Sequence, residues 1–132
     1  MIKGQVHLRQ DGSRLEARVT IDIAGDDRLF RSVEAIIDTG FTGALSLPES
    51  AVHELGLRSA RAERVTLADG RSIRANVHAA RILWHGQPLD ARVQTLGIYP
   101  IIGTALLANC RLTIDWWEGG DVVIEERAPT AQ

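Results

Sequence analysis

Ala35-Ile36-Ile37-Asp38-Thr39-Gly40-Phe41-Thr42-Gly43 reads as an apolar strand that delivers a carboxylate onto a glycine-flanked turn. Ile36-Ile37 breaks the alternation of apolar and polar residues, as expected where a strand is covered on both faces. Asp38 then has two readings. It caps the turn, its oxygens accepting backbone N–H groups, or it is a reactive carboxylate held where the chain leaves the sheet. The triplet Asp38-Thr39-Gly40 alone does not separate them.

Upstream, Arg14 to Ile23 alternates without a miss, which puts Leu15, Ala17, Val19, Ile21 and Ile23 on one strand face. Gly25-Asp26-Asp27 reads as a turn, and Leu29 to Asp38 as the returning strand of a hairpin. Downstream, Ala44 to Leu47 resumes as a short strand. Pro48 to Leu55, with Gly56 after it, has the proline-first, glycine-last signature of a short helix.

Val65 to Ala68 and Arg71 to Val77 flank Asp69-Gly70, a pair that tolerates the positive φ angles of a tight turn. The returning strand places Ile73, Ala75, Val77 and Ala79 on one face. The pattern then slips to Ile82 and Trp84, so a bulge or bend is expected near Ala80. A turn at His85-Gly86-Gln87-Pro88 leads into Leu89 to Gln94. Pro100-Ile101-Ile102-Gly103 runs into a short helix over Thr104 to Ala108. Arg111 to Trp117 and Val122 to Glu126 make a last hairpin, in which Trp116 and Trp117 are expected to alternate between core and surface. Many short strands at this spacing predict a mostly-β domain with a closed or barrel-like sheet.

With 132 residues, the chain suits one domain and is short for two. Fifteen basic against seventeen acidic side chains leave no basic excess for a nucleic-acid surface. The richest apolar run, Ile98 to Cys110, is too short and too interrupted to span a bilayer. One cysteine forms no internal bridge, and the opening residues lack the apolar core of a secretion signal, so a cytoplasmic location is expected.

Other chemistry finds little support. His7, His53, His78 and His85 have no paired metal-ligand spacing. Cys110 reads as a buried thiol without a neighbouring histidine. The Gly40–Gly43 loop lacks the lysine of a phosphate-binding loop.

In order, the apolar-apolar-Asp-Thr-Gly loop at Ile36 to Gly40, the hairpin at Thr66 to Ile73, the strand pair around Trp84 to Gln87, and Ile101-Ile102-Gly103 before Leu106-Leu107 resemble the retropepsin-like aspartic proteases. The match covers about Ile36 to Ile114, and the Asp-Thr-Gly-Phe form resembles that of prokaryotic single-lobed members. The resemblance implies an all-β, closed retropepsin-like barrel with one or two short helices. It also implies a homodimer in which each chain contributes one aspartate, Asp38.

By the same resemblance, Thr39 clamps the facing loops across the dimer, and Gly40, Phe41 and Thr42 complete the active-site loop. Ala68, Asp69 and Gly70 form the tip of a flap. Ile102 and Gly103 support the loop from beneath. Phe41 departs from the small or hydroxyl residue usual in relatives; a phenyl ring cannot donate a hydrogen bond to the carboxylate, and it is expected to line the cleft.

The expected function is aspartic endopeptidase on a peptide or protein substrate, with no cofactor, metal, nucleic acid or membrane partner. The alternative is a catalytically idle dimeric module that grips extended peptides. The expected domain is residues 1–127, with 128–132 a frayed tail. Which terminal strand builds the dimer interface is left open.

Overall fold

The computed structural model describes residues 1–127, apart from the side chains of Ser59 and Ala60; the expected frayed tail lies outside the described residues. Ten strands and two helices follow in the order β1 (Ile2–Leu8), β2 (Leu15–Ala24), β3 (Arg31–Ile37), β4 (Leu45–Leu47), α1 (Glu49–Glu54), β5 (Ser59–Thr66), β6 (Ser72–Trp84), β7 (Gln87–Thr95), β8 (Ile101–Ile102), α2 (Thr104–Leu107), β9 (Cys110–Ile114) and β10 (Asp121–Glu126).

β2 is the organising strand. Its alternation buries Ala17, Val19, Ile21 and Ile23 and half-buries Leu15. They meet Leu45, Leu47, Ile82, Val93, Ile102, Val122 and Ile124 in one core. Burying a branched aliphatic side chain of this kind contributes roughly 1.5–3 kcal/mol, so a period-2 pattern sustained over β2 fixes which face turns inward.

The strands form one mixed sheet in the order β5-β6-β7-β4-β8-β3-β2-β1-β10-β9, and β6 pairs with β2 as well. That extra pairing, from Asp22↔Leu83 to Ala24↔Arg81, closes a ring of six strands, β6-β7-β4-β8-β3-β2. Most neighbours are antiparallel. β3 with β8 and β4 with β7 are parallel.

Several local expectations are corrected. Ile36 and Ile37 are half-buried rather than covered on both faces: Ile37 packs against the core, while Ile36, on the opposite face, lines an open pocket with Glu34, Tyr99 and Pro100. β3 starts only at Arg31; Leu29 and Phe30 belong to an exposed turn, where Asp27 accepts the Leu29 N–H at 3.0 Å.

The face slip in β6 falls between Val77 and His78, not at Ala80, and Ile73 and Ala79 are exposed. The irregularity itself lies in the partner strand: β5 shifts register between Ser59 and Arg61, opposite His78 and Val77. β6 meanwhile pairs with β7 without interruption from Val77↔Gln94 to Trp84↔Gln87. That pairing reduces the expected four-residue turn to His85-Gly86, both at positive φ.

At the hairpin tip only Gly70 has positive φ (87°); its N–H donates to the Leu67 carbonyl at 2.9 Å, a wider turn than an Asp-Gly pair alone makes. Trp116 and Trp117 do not alternate: β9 ends at Ile114, and both rings are exposed. β1, absent from the sequence expectations, lies between β2 and β10.

Candidate functional site

The geometry around Asp38 follows from the end of β3. Ile36 and Ile37 run parallel to Ile101 and Ile102, and the Asp38 N–H extends that ladder by donating to the Ile102 carbonyl at 3.0 Å. The chain then turns back: the Asp38 carbonyl accepts the Phe41 N–H at 3.1 Å, and Asp38 Oδ1 accepts the Gly40 N–H at 2.8 Å. The carboxylate therefore does cap its own loop, and it is also exposed at the loop's surface. The two readings of Asp38 are compatible, since one oxygen suffices for the cap.

The loop is fastened from below by backbone hydrogen bonds. Gly103 N–H donates to Ala44, Thr104 N–H to Phe41, and Ala105 N–H to Gly43. Gly103 is buried in this contact, and a β-carbon there would lie 2.2 Å from the Gly43 carbonyl oxygen. Only glycine lets the two segments approach so closely. Ile102 beside it is fully buried in the core. The half-buried Phe41 ring covers Gly43 and Gly103.

A cleft of about 330 Å³ opens above this floor. Asp38, Gly40 and Phe41 line it from the loop, and Val65, Thr66, Leu67, Ala68 and Ile73 line it from the β5–β6 hairpin. Thr39 and Thr42 are exposed and outside its lining, as are Asp69 and Gly70 at the hairpin tip.

Sequence reasoning missed Ser46, Leu96, Gly97 and Ile101, which complete the walls. Ser46 is fully buried, and its hydroxyl donates to the Leu96 carbonyl at 3.1 Å, tying β4 to the segment after β7. A serine between Leu45 and Leu47 in an otherwise buried strand was the available signal.

Level with Asp38 on β2 lies a further missed residue. Glu16 is buried, with Arg18 3.2 Å from one carboxylate oxygen and Arg9 and Arg14 each 3.9 Å from the other. Arg9 also reaches Tyr99, donating to its hydroxyl at 3.4 Å with the guanidinium 5.5 Å from the ring centre.

Cys110 is half-buried, and, against expectation, it has a histidine beside it: His85 Nε2 lies 3.7 Å from Sγ. Burial pushes the Cys110 thiol up from its ordinary value; Trp84 opposes that rise, and the Glu126 carboxylate adds to it. A thiol held in its protonated form is a poor nucleophile, so this pair is no rival to Asp38. Among the described residues, His, Cys, Asp and Glu form no group of three or more that could hold a metal ion.

Comparison with protein-family models, with curated proteins and with solved structures finds no match to this chain.

Proposed function

We propose that this chain is a retropepsin-like aspartic endopeptidase that works as a two-fold dimer, with Asp38 of each copy forming the catalytic pair. The observation that supports the reading is the cleft that has Asp38 on its floor and the β5–β6 hairpin across from it. An extended peptide laid between them would have its backbone beside the carboxylate and its side chains against Val65, Leu67, Ile73 and Phe41.

A single carboxylate cannot both activate a water and protonate the scissile carbonyl. Two that face each other across a symmetry axis can, because like charges in one site hold a proton between them. The ionised member removes a proton from the attacking water as its oxygen bonds to the carbonyl carbon. The protonated member donates to the carbonyl oxygen, and proton return to the leaving nitrogen completes hydrolysis without a covalent enzyme intermediate. In this reading Thr39, exposed beside Asp38, meets its counterpart across the axis, and the ring of six strands is the retropepsin-like barrel.

Cleavage of a mixed peptide library, inhibited by pepstatin, tests the proposal. Asp38→Asn is expected to lower turnover by about 10²–10⁴-fold, the range for removing a general acid or base, while leaving the fold intact. Equal turnover by Asp38→Asn and the parent would refute it. A second reading is favoured by one feature: β5 ends the strand order, so its outer edge has no strand neighbour among the described residues and can accept an added strand. Tight peptide binding by both the parent and Asp38→Asn, with no cleavage by either, is the outcome of that binding module.

A further inference from the structure

The two-fold reading needs an interface, and the strand order narrows where it lies. β1 is paired on both sides, by β2 and β10, and β10 by β1 and β9. The backbone edges of both terminal strands are therefore occupied within the protomer, and neither can add to a second copy's sheet without breaking its own ladder. β5 and β9 end the strand order and keep a free edge among the described residues, but β9 stands four places from β3, so an interface that joins two Asp38 loops would draw mainly on side chains at the end of the sheet where Asp38 emerges.

The register shows which side chains those are. Arg18 stands opposite Ile36, so Glu16 is level with Asp38; His7 stands opposite Glu16. The loop between β9 and β10 closes on the same end. Its Gly119 N–H donates to the Val6 carbonyl, and the Glu118 carboxylate accepts the Leu8 N–H.

That loop carries Trp116 and Trp117, exposed by 55% and 61%, beside Leu8 at 48%. From β3 to β10 is three strand spacings of ~4.8 Å, or about 14 Å. A stable dimer covers about 800 Å² of each copy, a disc of about 16 Å radius. A patch centred on Asp38 therefore extends as far as the tryptophan loop. Tryptophan is also the residue type most often found to dominate such contacts.

We infer that Trp116 and Trp117, with Leu8, dock against a second copy of this chain and form the outer part of the interface that brings the two Asp38 loops together. The inference rests on the two-fold reading of the site. It adds the residues that hold the copies in register, which that reading leaves unspecified.

Sedimentation analysis over a concentration series, with intrinsic fluorescence read on the same samples, tests it. The third tryptophan, Trp84, is buried in the protomer, so a blue shift that grows with concentration reports on Trp116 and Trp117. The double variant Trp116→Ser/Trp117→Ser is expected to weaken dimerisation by about thirtyfold or more, as loss of a dominant contact does. Its circular dichroism should be unchanged, and its specific activity should fall at concentrations where the parent is dimeric. Leu29→Ser/Phe30→Ser removes an exposed apolar pair at the opposite end of the sheet and is expected to leave dimerisation alone.

A parent dimer unaffected by the tryptophan changes, or abolished by the Leu29/Phe30 changes, overturns the inference and leaves the protease reading standing. A tryptophan-dependent dimer without peptidase activity supports the interface and removes the protease. A parent that stays monomeric throughout the series ends both.

Discussion

Gly103 lies against Phe41 so closely that a β-carbon on Gly103 would come within 2.6 Å of both the Phe41 ring and the Phe41 carbonyl oxygen. Such distances are far inside contact range, and one of the atoms is backbone, which has no rotamer to escape into. Gly103→Ala is expected to displace the Asp38 loop and to cost about 1–3 kcal/mol of stability, the range for overpacking a close-packed site. Chemical denaturation measures the loss, and an unchanged midpoint would show that the loop gives way without strain.

Phe41 covers that glycine floor and lines the cleft. Phe41→Ser removes apolar surface that a substrate side chain would touch. It is expected to raise KM for peptides with apolar residues at the cleavage point more than it lowers kcat. Steady-state kinetics on matched peptides reads the split; a fall confined to kcat would place Phe41 in the chemistry instead of in binding.

Glu16 is buried among Arg9, Arg14 and Arg18, the nearest of them at 3.2 Å. Glu16→Gln keeps the shape and removes the charge that these guanidinium groups face. Since Arg14 is mainly in water and the others partly so, the expected loss is about 2 kcal/mol, below the value for a fully enclosed pair. Urea unfolding measures it. The same change should loosen Tyr99, which Arg9 holds from the other side.

Glu118 ties the tryptophan loop to β1. The Leu8 N–H, followed by His7, draws its carboxyl below the ordinary value of 4.5. A depressed carboxyl stabilises the fold fully above its unfolded value and loses that contribution as pH falls through its lower folded value. The parent should therefore melt higher than Glu118→Gln at neutral pH, with the two melting temperatures converging as pH falls from 4.5 through the lower folded value. A difference that persists at low pH would mean that Glu118 acts by shape and not by charge.

The parts of this fold legible in the sequence were those that obey a short-range rule. β2 announced itself by uninterrupted alternation, α1 by Pro48 and Gly56, and the β5–β6 hairpin by Asp69-Gly70. β1 was missed: Ile2, Gly4, Val6 and Leu8 alternate with Lys3, Gln5 and His7, but a glycine in an apolar slot hid the period.

Other features depend on distant partners. β8 is only Ile101–Ile102, too short to have a period, and exists because β3 and β4 flank it. The ring depends on the β2–β6 pairing, between segments about sixty residues apart. At the site, Asp38 and Phe41 could be named in advance because they share a loop, whereas Leu96 and Gly97 could not. His85 reached Cys110 by the same kind of long-range placement.

β6 has consequences beyond topology. Its outer residues form one arm of the hairpin over the cleft, and its inner residues, from Asp22↔Leu83 onward, clasp β2 and shut the ring. Cover and frame are thus one continuous rod, with the misstep in β5 opposite Val77 and His78 marking where the arm leaves its bearing. A tilt of the arm would load the frame through β6, so the stiffness of the scaffold would set how freely the mouth above Asp38 could gape.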